Sequence, residues 1–335
     1  MPAIPADYGD AAAEYQAVRR GAGLVDRSDF GVLEVTGRDR ATFLHAMLSQ
    51  DIKSLTPGRG AAASLLDIHG KIQCLAAVWA LDATILVVTP PGQAAKLAEA
   101  LDKHLFAEKA YLRDATGELE FALVAGPEAP ALVSRLADVK VPDVPWAHVV
   151  GTLGGVETRI VRGDGETGEP EVWLAAPTAH AEPPRSTLVE AGARPVGRTA
   201  FESLRIEAGT PVFGADADET VLLPEIPFEP RVSYSKGCYL GQEVVVRIRD
   251  RGHVNRMLRG LVLDGTRVPE RGDRVTAGQA EIGHVTSAVM SFGLERPIAL
   301  AFVRRQHAEP GTAVQVVSSD GASIPATVSA LPFAR

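Results

Sequence analysis

The chain has 335 residues, 46% of them hydrophobic, with a formal net charge of −8. That is enough apolar side chain for a sizeable core, in a length that suggests two or three domains. Its acidic balance argues against a general nucleic-acid binder, and no apolar run reaches the roughly 18 residues of a spanning helix. Even Leu81 to Val88 is broken by Asp82 and Thr84, so no membrane contact is expected. Met1 to Arg20 lacks a basic start followed by an apolar run, which makes cytoplasm the expected location. The two cysteines, Cys74 and Cys238, do not form a disulfide framework, and neither has a Cys or His nearby at metal-site spacing. The eight histidines are scattered, and no metal is expected.

In chain order, Val32 to Thr36 reads as a strand, and Phe43, Leu44, Met47 and Leu48 recur at helical spacing. Ala61 to Leu66 and Ile72 to Ala80 flank the turn-rich Asp67-Ile68-His69-Gly70-Lys71 and predict a hairpin, followed by a strand at Thr84 to Thr89. Leu97, Leu101 and Leu105 form a second helical stripe before a strand at Leu119 to Val124, an order that suggests a split βαβ unit. Cys74 lies in an alternating apolar strand and reads as core, and His69 as solvated surface at the hairpin tip.

A helix introduced by Pro127 and strands at Val156 to Val161 and Val172 to Ala175 follow, with Gly163 to Pro170 read as a surface turn. Thr199 to Gly209 predicts a helix with Thr199 as N-cap and Gly209 as terminator. Its buried face carries Phe201, Leu204 and Ala208, leaving Arg205 at the border and Glu207 pointing away. Arg205 is either an edge residue reaching solvent or a donor into a cavity. From about Gly260, short β-prone runs divided by Gly and Pro predict a small barrel or sandwich.

Ser235-Lys236-Gly237-Cys238-Tyr239-Leu240-Gly241-Gln242-Glu243 is dense in chemically useful side chains. Lys236 and a helix starting near Gly241 would favour a thiolate at Cys238, while the alternative is an inert cysteine in a glycine-bearing turn. Arg247, Arg249, Arg251, Arg256 and Arg259 form a basic stretch, either solvated or facing an anion. Glu225 lies in a Pro-bounded loop that either lines a cavity or faces water. Trp79, Trp146 and Trp173 read as core.

The Lys-Gly-Cys-Tyr-x-Gly-Gln-Glu run, with Arg247 four residues beyond Glu243, resembles the signature of the YgfZ group of the glycine-cleavage T-protein superfamily. Gly23-Leu24-Val25-Asp26, Phe43-Leu44, the Asp67–Lys71 run, Arg205-Ile206-Glu207-Ala208-Gly209-Thr210-Pro211 and Ile298–Val303 resemble superfamily blocks in the same order. The resemblance implies an α+β cloverleaf around a central folate channel. Its expected parts are residues 1–125, residues 126–250 with the cysteine motif, and a β-barrel at 251–335. It further implies tetrahydrofolate or a derivative as cofactor, and a folate-dependent accessory role in assembly, maintenance or repair of iron-sulfur enzymes, including those of tRNA methylthiolation. Iron-sulfur client proteins or assembly factors are then the expected partners, with Cys238 and Lys236 central. Gly237, Tyr239, Gly241, Gln242 and Glu243 complete the motif, and Arg205, Trp173, Glu225 and Arg247 are candidate folate contacts.

The alternative is the superfamily's aminomethyltransferase, which moves a methylene from a protein-bound lipoyl arm to tetrahydrofolate. Alignment with that enzyme puts Cys74 and Leu75 where it has paired aspartates, one of them catalytic. The same comparison puts Trp173 near its pterin-binding glutamate and Phe201 where it normally has arginine.

Overall fold

The computed structural model describes residues 4–334. Helix α1 (Ala11–Arg20) and strands β1 (Gly23–Asp26) and β2 (Gly31–Thr36) precede α2 (Arg40–Met47). A hairpin of β3 (Gly60–Leu66) and β4 (Ile72–Ala80) follows, then β5 (Ile85–Thr89), α3 (Ala94–Asp102) and β6 (Tyr111–Asp114). Next come β7 (Leu119–Ala125), α4 (Ala129–Leu136), β8 (His148–Leu153), β9 (Val156–Arg162) and β10 (Glu171–Pro177). The helices α5 (Glu182–Glu190), α6 (Arg198–Glu207) and α7 (Gln242–Arg251) surround the short β11 (Arg194–Val196) and a long loop. The chain ends in β12 (Arg256–Leu263), β13 (Arg274–Ala277), β14 (Ala280–Ser291), β15 (Arg296–Arg304), β16 (Ala313–Val317) and β17 (Ser323–Ser329). None of the described helices is long and apolar enough to cross a membrane.

One sheet has the order β3-β4-β5-β2-β6, with β5 antiparallel to both β2 and β4. Strand β6 is also antiparallel to β2, so β5 and β6, joined through α3, are parallel with β2 between them. The expected strand at Leu119 to Val124 joins the other sheet, so β6 closes this split βαβ unit instead. Phe43, Leu44, Leu97 and Leu101 of α2 and α3 cover its outer face, and Cys74 is buried in that layer. The second sheet has the order β11-β1-β7-β10-β9-β8, so β1 and β7 pair with strands from beyond residue 125. Helices α4 and α5 cover its outside through Leu132, Val133 and Leu188. The inner faces meet through Trp79 and Val88 on one side and Phe121, Leu123 and Trp173 on the other. The C-terminal strands close into a six-stranded barrel filled by Leu261, Val285, Ala301 and Val316.

Helix α6 corrects two expectations. It begins after Gly197 rather than at a Thr199 cap, and Ser203 to Glu207 are all buried because α1 and barrel strand β14 cover faces that a one-sided helix would leave wet. The Glu207 carboxylate accepts from Tyr15 Oη at 2.6 Å, Arg19 Nη2 at 2.7 Å and Ser291 Oγ at 2.6 Å. Burial opposes that charge, yet Ser291, Tyr15, Ser203 and Arg19 bring the carboxyl below its ordinary value. Arg205 is equally committed: Nη1 lies 2.7 Å from Asp216 Oδ2, Nη2 2.8 Å from Ser287 Oγ, and Nε 2.9 Å from Glu202 Oε2. It ties α6 to the barrel, so its donors do not reach into the space between the sheets.

His148 joins the two sheets, its backbone N–H donating to Gly58 O at 2.8 Å and its Nδ1 accepting from Arg159 Nη1 at 3.0 Å. Burial first, and then the Arg159 charge, push the imidazole from 6.5 down to about 4. The unfolded chain therefore binds the extra proton between those values, and stability present above 6.5 is lost as pH falls towards 4. The shift corresponds to about 3 kcal/mol. Urea denaturation at pH 7.5 and 4.5 should show an acid loss that His148→Gln reduces by about 2 kcal/mol; an unchanged loss would contradict this account.

Candidate functional site

Of the sequence-level candidates, the cysteine motif leads into α7. Gly241 caps that helix in the left-handed conformation at φ 79°, and a Cβ there would stand 2.4 Å from Asp67 O in the β3–β4 turn. Gly70, at φ +77°, faces Val244 in return, and a Cβ on Gly70 would stand 2.9 Å from Val244 Cβ. The Asp67–Lys71 and Lys236–Glu243 runs are thus the two halves of one close backbone contact, which only glycine permits. Gln242 Oε1 accepts from Tyr239 N at 3.3 Å. Gly237 has open space around its Cα, and Cys238 and Glu243 are exposed.

Lys236 does not direct its charge to the thiol. Its ammonium is buried and donates to the carbonyls of His45, Leu48 at 2.6 Å and Gln50 at 3.1 Å, at the C-terminal end of α2. Those carbonyls lack helical partners and carry the negative end of the helix dipole, which is why a cation belongs there. Burial pushes Lys236 down to about 8, with Asp51 the opposing charge. Tyr239 packs beneath the ammonium, 5.0 Å from ring centroid to Nζ, and burial pushes its phenol up to about 12.

Two other candidates lie away from the two sheets' interior. Glu225 is buried, accepts from Leu222 N at 3.1 Å and pairs with Arg256 Nε at 3.1 Å beside the barrel, rather than lining the space between the sheets. Arg247 is exposed on α7. Trp173 alone stands in the interior with other functional groups.

That interior site is built on Arg27, which follows β1. Its guanidinium lies 4.4 Å from the Phe30 ring centroid, 4.7 Å from Phe201 and 5.2 Å from Trp173, and Nη2 reaches Glu166 Oε1 at 3.0 Å. The Arg27 Nε and Trp173 Nε1 are buried without a hydrogen-bond partner among the described residues. Glu166 belongs to the loop between β9 and β10, expected to be a surface turn. Instead the loop wraps the buried Glu171, whose carboxylate accepts from Thr167 N and Oγ1 at 2.6 Å each and from Glu166 N at 2.9 Å.

Asp164, on the same loop, is exposed to solvent. Arg231 is its main opposing charge. Arg231 Nη1 donates to Ala63 O at 3.3 Å and Ala76 O at 3.2 Å, which anchors it over the β3–β4 ladder. Burial lowers the Arg231 guanidinium, while Asp164, Cys74 and Glu166 favour its charge. Burial raises Cys74 to about 12, so this core thiol stays protonated. None of Arg27, Glu166 and Arg231 stands out in the sequence, since they come from three separate segments with no common spacing. The one usable signal was a Gly- and Glu-rich loop too acidic to fit an apolar sheet edge without a partner.

Two α+β sheets packed face to face and joined to a closed six-stranded barrel define a class of proteins. The GCVT N-terminal domain model matches residues 3–236, and the glycine cleavage T-protein C-terminal barrel domain matches 256–334. The chain belongs to the glycine cleavage T-protein family. It is 35% identical to the aminomethyltransferase of Streptomyces avermitilis over 99% of this chain and 91% of that protein. The Thermus thermophilus aminomethyltransferase is 34% identical over 98% of this chain and 92% of its own length. The crystal structure of glycine cleavage system aminomethyltransferase T from Bartonella henselae superposes with a TM-score of 0.85 at 24% identity, over 99% of this chain and 91% of that one. These full-length relatives overturn the iron-sulfur accessory role that the cysteine motif implied: they are named aminomethyltransferases, not YgfZ proteins.

Lys236 and Cys238 separate cleanly by experiment. Lys236→Met should cost about 2–4 kcal/mol in denaturant unfolding, because three carbonyls lose a buried cation, whereas Cys238→Ala should stay within about 0.5 kcal/mol.

Proposed function

We propose that this protein binds a tetrahydrofolate between its two sheets and serves as its one-carbon acceptor site, in a reaction of the aminomethyltransferase type. The observation that carries this reading is the Arg27 box, with its unsatisfied Nε, opposite the acidic loop of Asp164 and Glu166. A folate has a flat ring with a donor-rich edge and an anionic tail. Phe30, Trp173 and Phe201 offer aromatic surface to such a ring, the carboxylates answer its donors, and the arginines answer carboxylate charge. The name borne by the full-length relatives supports the same transfer.

The residues of this chain would bind and orient the acceptor, and the apolar walls of the two sheets would limit water around it. In the transfer, the one-carbon unit leaves a carrier thiol and an amino group and becomes bonded to two acceptor nitrogens. The two protons released from those nitrogens go one to departing ammonia and one to the thiol, with no net oxidation. The Lys236–Glu243 run, which resembles the YgfZ group, is read as the mark of a branch within the family, with Lys236 and Gly241 building the α2–α7 contact rather than performing the transfer.

Tetrahydrofolate binding followed by tryptophan fluorescence should be saturable, and Arg27→Met should weaken it by about tenfold or more. Supply of an aminomethyl-lipoyl carrier protein should then give folate-dependent ammonia release. Tight folate binding without ammonia release would reject the transferase reading, and no folate binding would reject the site.

A further inference from the structure

The basic stretch from Arg247 to Arg259 takes no part in the interior site, and its second half borders a separate cleft. A cavity of about 780 Å³ opens at the start of β12 and the end of β15, beside the loop that follows α7. Such a volume lies within the roughly 300–1,000 Å³ that small-molecule sites occupy. Arg256, Arg259, Arg304 and Arg305 line it together with Glu225 and Glu309. Four arginines against two glutamates leave an excess of two positive charges, in a chain whose formal net charge is −8.

Two of these guanidiniums are held in place by the fold. Arg256 Nε lies 3.1 Å from Glu225 Oε1, and its guanidinium carbon stands 4.5 Å from the Phe302 ring centroid. Arg259 Nε donates at 3.0 Å to the carbonyl of Ala308, which ends the short turn Arg305–His307. The other two lack a counterion: no carboxylate among the described residues pairs with Arg304 or Arg305. Strand register sharpens the conflict. Arg256 stands directly opposite Arg304 on the β12–β15 ladder, which puts two like charges on one face of the barrel wall. Opposed like charges destabilise a strand pair, whereas an anion lodged between them turns repulsion into attraction. Burial disfavours the charge on Arg259 as well, and Glu309 offsets this only in part.

We infer that this cleft is an anion-binding site for a small molecule carrying two or more clustered phosphate or carboxylate groups, with Arg304 and Arg305 as its principal contacts. Guanidinium forks match the paired oxygens of both groups and stay charged at any physiological pH. Arg256, bound to Glu225 through Nε alone, keeps its Nη donors for the guest. The site is independent of folate binding between the sheets, since none of the residues around Arg27 lines it.

Titration calorimetry of the full chain at low salt, with inorganic pyrophosphate in one arm and citrate in the other, tests the site and tells the two anion chemistries apart. Saturable one-to-one binding of at least one of them is expected, and Arg304→Gln and Arg305→Gln should each weaken it by about tenfold. Arg274→Gln, which removes an exposed arginine of β13 outside the cleft, should leave it unchanged. Melting supplies a second readout. Because Arg256 and Arg304 repel each other without a ligand, unliganded Arg304→Gln should melt no lower than wild type, and the bound anion should raise the melting temperature of wild type more than that of the variant. Binding of neither anion to folded wild type would overturn the inference, as would equal weakening by Arg274→Gln, the sign of diffuse attraction. An unliganded Arg304→Gln protein less stable than wild type would assign that arginine to the fold and overturn its role as a contact.

Discussion

Charged groups placed between two apolar sheets impose the constraint on which the rest of this molecule depends. A buried ion costs several kcal/mol unless it finds an opposing charge and enough hydrogen bonds. Arg27 and Arg231 therefore dictate much around them. Arg27 is boxed by Phe30, Trp173 and Phe201 and paired with Glu166. Arg231 takes two backbone carbonyls and faces Asp164. The loop that supplies both carboxylates must in turn be held, and the buried Glu171 does so by collecting its N–H groups.

A second set of buried charges joins the sheets to the barrel. Glu207 gathers Tyr15, Arg19 and Ser291, and Arg205 gathers Asp216, Glu202 and Ser287. Lys236 plays the corresponding part for the cysteine motif by closing the exposed carbonyls at the end of α2. The residues that look most reactive in the sequence are thus largely occupied by assembly, and the groups facing the interior space come from less conspicuous loops.

The fold was legible wherever period decides it. The alternation of the β3–β4 hairpin, the stripes of α2, α3 and α4 and the short runs of the barrel all appear where the side-chain pattern puts them. Strands β1 and β11 were not legible, because four and three residues carry no usable period and their pairing is settled by tertiary contacts. The burial of Glu207 was missed because a helical wheel assumes one wet face, and the C-terminal half of α6, Ser203 to Glu207, has none. The interior charges were illegible for a related reason: sequence spacing orders residues along one element, whereas Arg27 and Glu166, 139 positions apart, meet only through tertiary packing. The motif around Cys238 gave the right superfamily and the wrong role, since a run can identify a scaffold through residues that build it.

The contact between Gly70 and Gly241 fixes the spacing of two segments far apart in the chain. The turn after β3 and the start of α7 fit as a key fits a lock cut for it, so a residue inserted in either would hold the other off. Changes of length or bulk in these segments are tolerable only as matched pairs. An engineer grafting the cysteine motif onto a related scaffold would therefore have to transplant the Asp67–Lys71 turn along with it.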